Sequence, residues 1–260
     1  QHFALGLAQM EGKQFELAAE QMRQCLAKRN RPALSPINKE IHKAGPNLWL
    51  GLCLWELKQF DAAQRGFEAA LADEPGSRSA LFDCARFEAA QNQPLEALKR
   101  LNALVEIDSR IERAWQLGGQ LSLSKPEFYA FAADWTAEAV KHLPESVVLT
   151  RQRAEALLLN GDAEGALLYW RRPGAVEGAR TLAAQLMCEF LTTPVPRKLT
   201  PANERVVSHE FLQWFRKLVN SGAQAQVVSL HQRLSEVEQV LPSAANLLRP
   251  ILEQASLAAA

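Results

Sequence analysis

A set of small and apolar residues returns after 34 positions and then returns again: Leu50, Gly51, Ala63, Phe67 and Ala70 are matched by Cys84, Ala85, Ala97, Leu101 and Leu104, and Leu81, Cys84 and Ala85 by Trp115, Gly118 and Gly119. Recurrence at this period marks a helical repeat array, in which each unit is too small to bury its own apolar face and does so by stacking on the next. Such arrays leave a concave face open. The chain is therefore expected to hold a partner and not to transform a substrate.

The clearest unit spans residues 44–77. Leu50, Gly51, Leu54 and Leu57 fall at the three-and-four spacing of one helical face, and Ala63, Phe67, Ala70 and Leu71 repeat it. These faces predict helices over 47–57 and 61–72, joined through Lys58, Gln59 and Phe60 by a turn so tight that the helices run antiparallel. Pro75 and Gly76 end the second helix, since proline cannot continue it and glycine tolerates a left-handed cap.

In Leu50-Gly51, Leu54, Phe60, Ala63, Phe67, Ala70 and Pro75 the unit resembles a tetratricopeptide repeat. The resemblance implies an all-α, right-handed superhelical solenoid of antiparallel helix hairpins. Gly51 and Ala63 would stand where two helices touch, and Phe67 and its equivalents would fill the gap between neighbouring hairpins. Residues 78–111, 112–146 and 147–174 follow the template with decreasing fidelity. At the front, Leu5, Gly6, Phe15, Ala18, Met22 and Cys25 precede their counterparts by 45 positions, which places an 11-residue insertion within residues 29–46. Ser35-Pro36 there offers an N-cap and a first-turn proline for a short helix over 37–44.

The array is expected to fill residues 1–193, and a proline-rich break follows at 194–201. Residues 202–260 read as a degenerate helical repeat and a capping helix. Phe211, Trp214, Phe215 and Leu218 share one face and fit the first helix of that repeat, with helices also expected over 175–191, 225–234 and 243–258. Of the tryptophans, Trp115 and Trp170 take positions that face a neighbouring helix.

Composition removes several function classes. The 29 Lys and Arg balance 29 Asp and Glu, so no global charge draws the chain to nucleic acid or to an anionic membrane. No apolar stretch approaches the roughly 20 residues that span a bilayer. Cys25, Cys53, Cys84 and Cys188 form no CxxC pair, and the first three fall on positions expected to be buried, which favours a reducing compartment and a cytoplasmic location. The sequence begins with Gln1 and reads as a piece of a longer protein. Phosphate loops, dinucleotide fingerprints, a GxSxG elbow and metal-ligand spacings are lacking, so no cofactor, metal or catalytic residue is expected.

The resemblance implies that the first helix of each unit lines the inner groove. From the front come Phe3, Leu7 and Met10, then Leu48, Leu52 and Trp55, then Phe82, Arg86 and Ala89, then Arg113, Gln116 and Gln120, then Arg151 and Glu155. Apolar residues give way to arginines and amides. A fitting guest is a peptide with apolar anchors at one end and carboxylates toward the other. The carboxylate clamp known in this family requires Lys, Asn and Arg at set positions, where this chain has Phe3, Leu7, Trp49, Ser79 and Asp83; that subtype is disfavoured. Besides a protein- or peptide-binding scaffold, two alternatives stand. One is a repeat region attached to a bacterial glycosyltransferase, faintly similar through Pro36 to Ile41 and Leu50 to Leu54, and the other is self-association through an array end.

Overall fold

The structure, a computed structural model, describes the backbone of residues 1–30, 39–192 and 201–258, with side chains over 1–30, 41–192 and 203–252. Every regular element among them is helical, and the chain divides into two compact units, Gln1–Ala114 and Trp115–Ala260.

The first unit contains three antiparallel hairpins: α1 (His2–Glu11) with α2 (Phe15–Lys28), α3 (Gly45–Glu56) with α4 (Phe60–Asp73), and α5 (Arg78–Ala90) with α6 (Pro94–Ile107). Each turns in the same way. One residue adopts a left-handed conformation (Lys13, φ 56°; Lys58, φ 61°; Asn92, φ 56°). The next amide then reaches back five residues, Gln14 to the Gln9 carbonyl at 2.8 Å, Gln59 to Leu54 at 2.9 Å and Gln93 to Glu88 at 2.9 Å. These bonds satisfy carbonyls that the helix end leaves open.

Side-chain size sets how closely the helices approach. At the α3–α4 crossing a methyl carbon on Gly66 would lie 2.8 Å from the Gly51 Cα, while one on Gly51 would lie 3.2 Å from the Phe67 ring and 3.3 Å from the Ala63 carbonyl oxygen. Two glycines facing one another thus make the closest contact, where the sequence pointed to Gly51 and Ala63. Ala63, Phe67 and Ala70 are buried, and Phe67 meets Phe87 of the next hairpin at 5.1 Å between ring centres.

Residues 29–46 join α2 to α3. Arg29 donates to both carboxylate oxygens of Asp73 (2.8 and 3.2 Å), and Asn47 donates to one of them (2.7 Å). Both ends of the insertion therefore rest on one α4 side chain. Of the expected helix over 37–44, a 3-10 turn at Lys39–His42 is present; Ser35 and Pro36 lie outside the described residues.

The second unit contains the greater part of α7 (Glu112–Ser122), a 3-10 turn at Pro126–Phe128, α8 (Tyr129–His142), α9 (Val147–Leu159), α10 (Ala163–Trp170), α11 (Gly178–Thr192), α12 (Pro201–Asn220), α13 (Gln224–Gln232), α14 (Leu234–Val240) and α15 (Pro242–Ala258). Trp115 and Trp170 are buried as expected, together with Trp135, whose Nε1 donates to the Trp115 carbonyl at 2.9 Å. The Trp135 ring fills the space that a side chain on Gly118 would need.

Phe211, Trp214, Phe215 and Leu218 are all buried. The helix that carries them packs back on α11, with Phe190 edge-on to Phe211 at 5.7 Å and the Trp214 indole N–H donating to the Arg180 carbonyl at 3.1 Å. It therefore serves as the second helix of a pair, where the sequence suggested the first. The start of α15 is held by α12: Glu204 accepts from the Ser243 amide (2.9 Å) and hydroxyl (2.8 Å), and the Ser208 hydroxyl accepts from the Ala244 amide (3.2 Å). The proline-rich residues 193–200 lie outside the described residues.

Candidate partner-binding face

In the first unit, the expected inner-face residues separate into core and surface. Leu48 is buried (4% exposed) in the α3–α4 core and offers almost no contact area. Phe3, Leu7 and Leu52 are half-buried, as is Met10, which packs on Ala18, Ala19 and Cys53 with its sulfur 3.3 Å from the Cys53 thiol. Trp55 is half-buried as well, its ring edge-on to Phe67 (6.4 Å) and Phe87 (5.6 Å).

Two arginines complete this face. The Arg86 guanidinium carbon lies 5.6 Å from the centre of the Trp55 ring, and that of Arg113 lies 4.2 Å from the centre of the Phe82 ring. In both pairs the arginine follows the aromatic residue by 31 positions and stands one helix hairpin later. An arginine held over a ring gains from the ring's negative face and keeps its N–H groups for other acceptors. Arg86 gives one bond to Asp83 (3.1 Å). Among the described residues, no carboxylate lies within ion-pair distance of Arg113, which is exposed.

In the second unit the expected residues are engaged differently. The Arg151 guanidinium donates from Nε to the Ala175 carbonyl (2.8 Å) and from Nη2 to the Gly174 carbonyl and Glu177 carboxylate (both 2.7 Å). It is committed to the chain's own turn after α10. The Gln116 carbonyl accepts from Gln152 at 2.8 Å, and Gln120 is exposed. Glu155 is 9% exposed and pairs with Arg180 at 3.1 Å. Burial raises its pKa, and the charges of Arg180 and Lys217 pull it back without cancelling the rise. Lys217, 4.5 Å from the Trp214 ring, is itself lowered by burial.

Among the described residues no group of three or more His, Cys, Asp and Glu is gathered that could hold a metal ion. Burial pushes the Cys53 thiol up to about 11 and that of Cys84 to about 12, so neither is an activated nucleophile. No helix of the described residues is long and apolar enough to cross a membrane.

The family model described as tetratricopeptide repeat matches residues 54–121, which contain α4, α5 and α6. Those residues are a tetratricopeptide-repeat segment, and the chain has the fold of tetratricopeptide arrays. Solved structures extend the likeness beyond the matched segment. A tetratricopeptide repeat protein from Parabacteroides merdae is 13% identical, with 92% of this chain and 91% of that one covered and a TM-score of 0.56. PilF of Pseudomonas aeruginosa is 18% identical over 86% of this chain and 96% of its own, with a TM-score of 0.53. MamA from AMB-1 is 16% identical over 65% and 86%, with a TM-score of 0.51. At such identities the likeness shows the fold of the tetratricopeptide array and nothing finer. No curated protein matches the chain, and the glycosyltransferase alternative gains no support from these matches.

The guanidinium–ring pairs were missed by sequence reading, which had named all four residues but had not joined them. The signal was present in the offset of 31, three less than the repeat, which sets a residue one helical turn back on the equivalent helix of the next hairpin.

Proposed function

We propose that this chain is a non-catalytic scaffold that binds a protein or peptide partner on the inner face of its first unit, at Leu52, Trp55, Phe82, Arg86 and Arg113. The observation that carries the reading is the Arg113–Phe82 pair: an exposed cation seated on a buried ring, with no carboxylate of its own among the described residues. Interfaces favour such aromatic and arginine groups because they combine large contact area with directed donors. Gln116 and Gln120 of α7 lie in the second unit and are candidates apart from this face. Four buried free thiols support a reducing, cytoplasmic setting.

A photo-crosslinking residue placed at Leu52 and, separately, at the exposed Glu68 of α4 tests the face. Adducts with the same protein from the source cells are expected at position 52 and not at 68. Adducts at 68 alone, or equal yields at both, would reject it.

A further inference from the structure

We infer that the partner segment is an acidic peptide whose Asp or Glu side chains are received one at a time by Arg113 and Arg86. This rests on the inner-face reading above and adds the chemistry of the guest. The argument begins with donors. Arg113 lies over Phe82 at 4.2 Å and makes no ion pair among the described residues, so its guanidinium can meet a carboxylate with two parallel bonds. Arg86 uses one Nη1 contact on Asp83 and retains its remaining N–H groups.

The rings supply preorganisation. A surface arginine ordinarily loses side-chain freedom on binding, and a guanidinium already resting on Trp55 or Phe82 has lost part of it beforehand. Trp55 is itself fixed by Phe67 and Phe87, so that platform belongs to the repeat core. Both pairs share the 31-residue offset, but they begin 27 positions apart, seven short of the repeat, so they stand at levels two helical turns apart on successive hairpins. Half-buried Leu52 supplies adjacent apolar surface for a guest's aliphatic residues.

Local charge selects carboxylate over phosphate. A phosphoryl group brings a charge near −2 and is normally met by several cations. Here the Arg86 station already contains the Asp83 carboxylate, 3.1 Å from the guanidinium, which offsets part of its attraction for any anion and leaves no cluster of unpaired cations for a dianion.

The test uses the whole chain and three labelled synthetic peptides: alternating Leu and Glu, the same with Gln for Glu, and the same with phosphoserine for Glu. The Glu peptide is expected to bind, more weakly as salt rises, and the Gln peptide to bind about tenfold less tightly. Arg113→Gln should weaken the Glu peptide by about tenfold. Asp83→Asn should tighten it by about twofold, an effect that a merely structural role for Asp83 would not produce. Unchanged circular dichroism certifies each variant as folded, and Phe82→Leu, which keeps an apolar side chain, should weaken binding without unfolding. Equal binding of the Glu and Gln peptides, tighter binding of the phosphoserine peptide, no binding of any, or indifference to Arg113→Gln would each overturn the carboxylate assignment. The crosslink at position 52 would still decide the inner face separately.

Discussion

Gly66 faces Gly51 across the α3–α4 crossing so closely that a methyl group on the first would stand 2.8 Å from the Cα of the second. Backbone cannot yield there as a side-chain tip can. Gly66→Ala is therefore expected to destabilise the first unit by about 1–3 kcal/mol, by forcing the helices apart. At Gly6 the nearest obstacle is the terminal methyl of Met22, which can rotate away. Gly6→Ala should be close to neutral, because alanine's better helix propensity offsets the displacement. Urea unfolding of the two variants separates these outcomes; equal losses would contradict the glycine-to-glycine contact.

Left-handed lysines in the hairpin turns leave stability to be gained. Lys58 holds φ at 61° and Asn92 at 56°. Glycine adopts this conformation without the Cβ penalty but loses more chain entropy, so Lys58→Gly should stabilise by about 0.5–1 kcal/mol. Asn92→Gly should gain less, since asparagine already tolerates the region. Thermal unfolding should rank Lys58→Gly above Asn92→Gly.

Asp73 should contribute a defined pH dependence. Burial raises its pKa, but the bonds from Arg29 and Asn47 outweigh that and hold it below the ordinary carboxylate value. The unfolded chain then binds the proton more readily, so the contribution is present above about pH 4 and fades as pH falls through the lower folded value. Comparing denaturation of the wild type and Asp73→Asn at several pH values tests this. The advantage of the wild type should shrink on acidification, and a constant difference would refute the assignment.

Glu88 behaves in the opposite sense. Burial raises its pKa, with Arg100 at 3.3 Å pulling it back in part, and the Cys84 thiol donates to the same oxygen at 3.4 Å. Arg100→Met should cost about 1–3 kcal/mol at neutral pH by leaving a buried carboxylate without its cation. Because the folded pKa lies above the unfolded one, protonation favours the native state. The loss should therefore be relieved below the ordinary carboxylate range and complete above the folded value. Adding Glu88→Gln should recover much of it, which a double-mutant cycle would measure.

The hairpins were legible because size pattern dictates them: Gly51, Ala63, Phe67 and Ala70 stand where the helices meet, and small residues recur at that spacing. Gly66 escaped notice since the pattern directed attention to Ala63. Lys13 and Lys58 gave no turn signal because lysine does not ordinarily mark a left-handed position. The partnership of α12 with α11 was hidden because Phe211 and Trp214 announce burial without naming the helix they bury against. Short α14 lies inside the expected run between the last two helices, where few residues carry periodicity. At the inner face, sequence register named Arg151 as readily as Arg113. Only coordinates separate the arginine that grips its own turn from the one that does not.

The anchoring of Arg29 and Asn47 on the same aspartate has a practical consequence. A loop whose two feet share one foothold transmits little of its own length to the helices it joins. Foreign sequence could be spliced between those feet, and the array would keep its phase, giving a natural port for adding a second recognition element to the molecule.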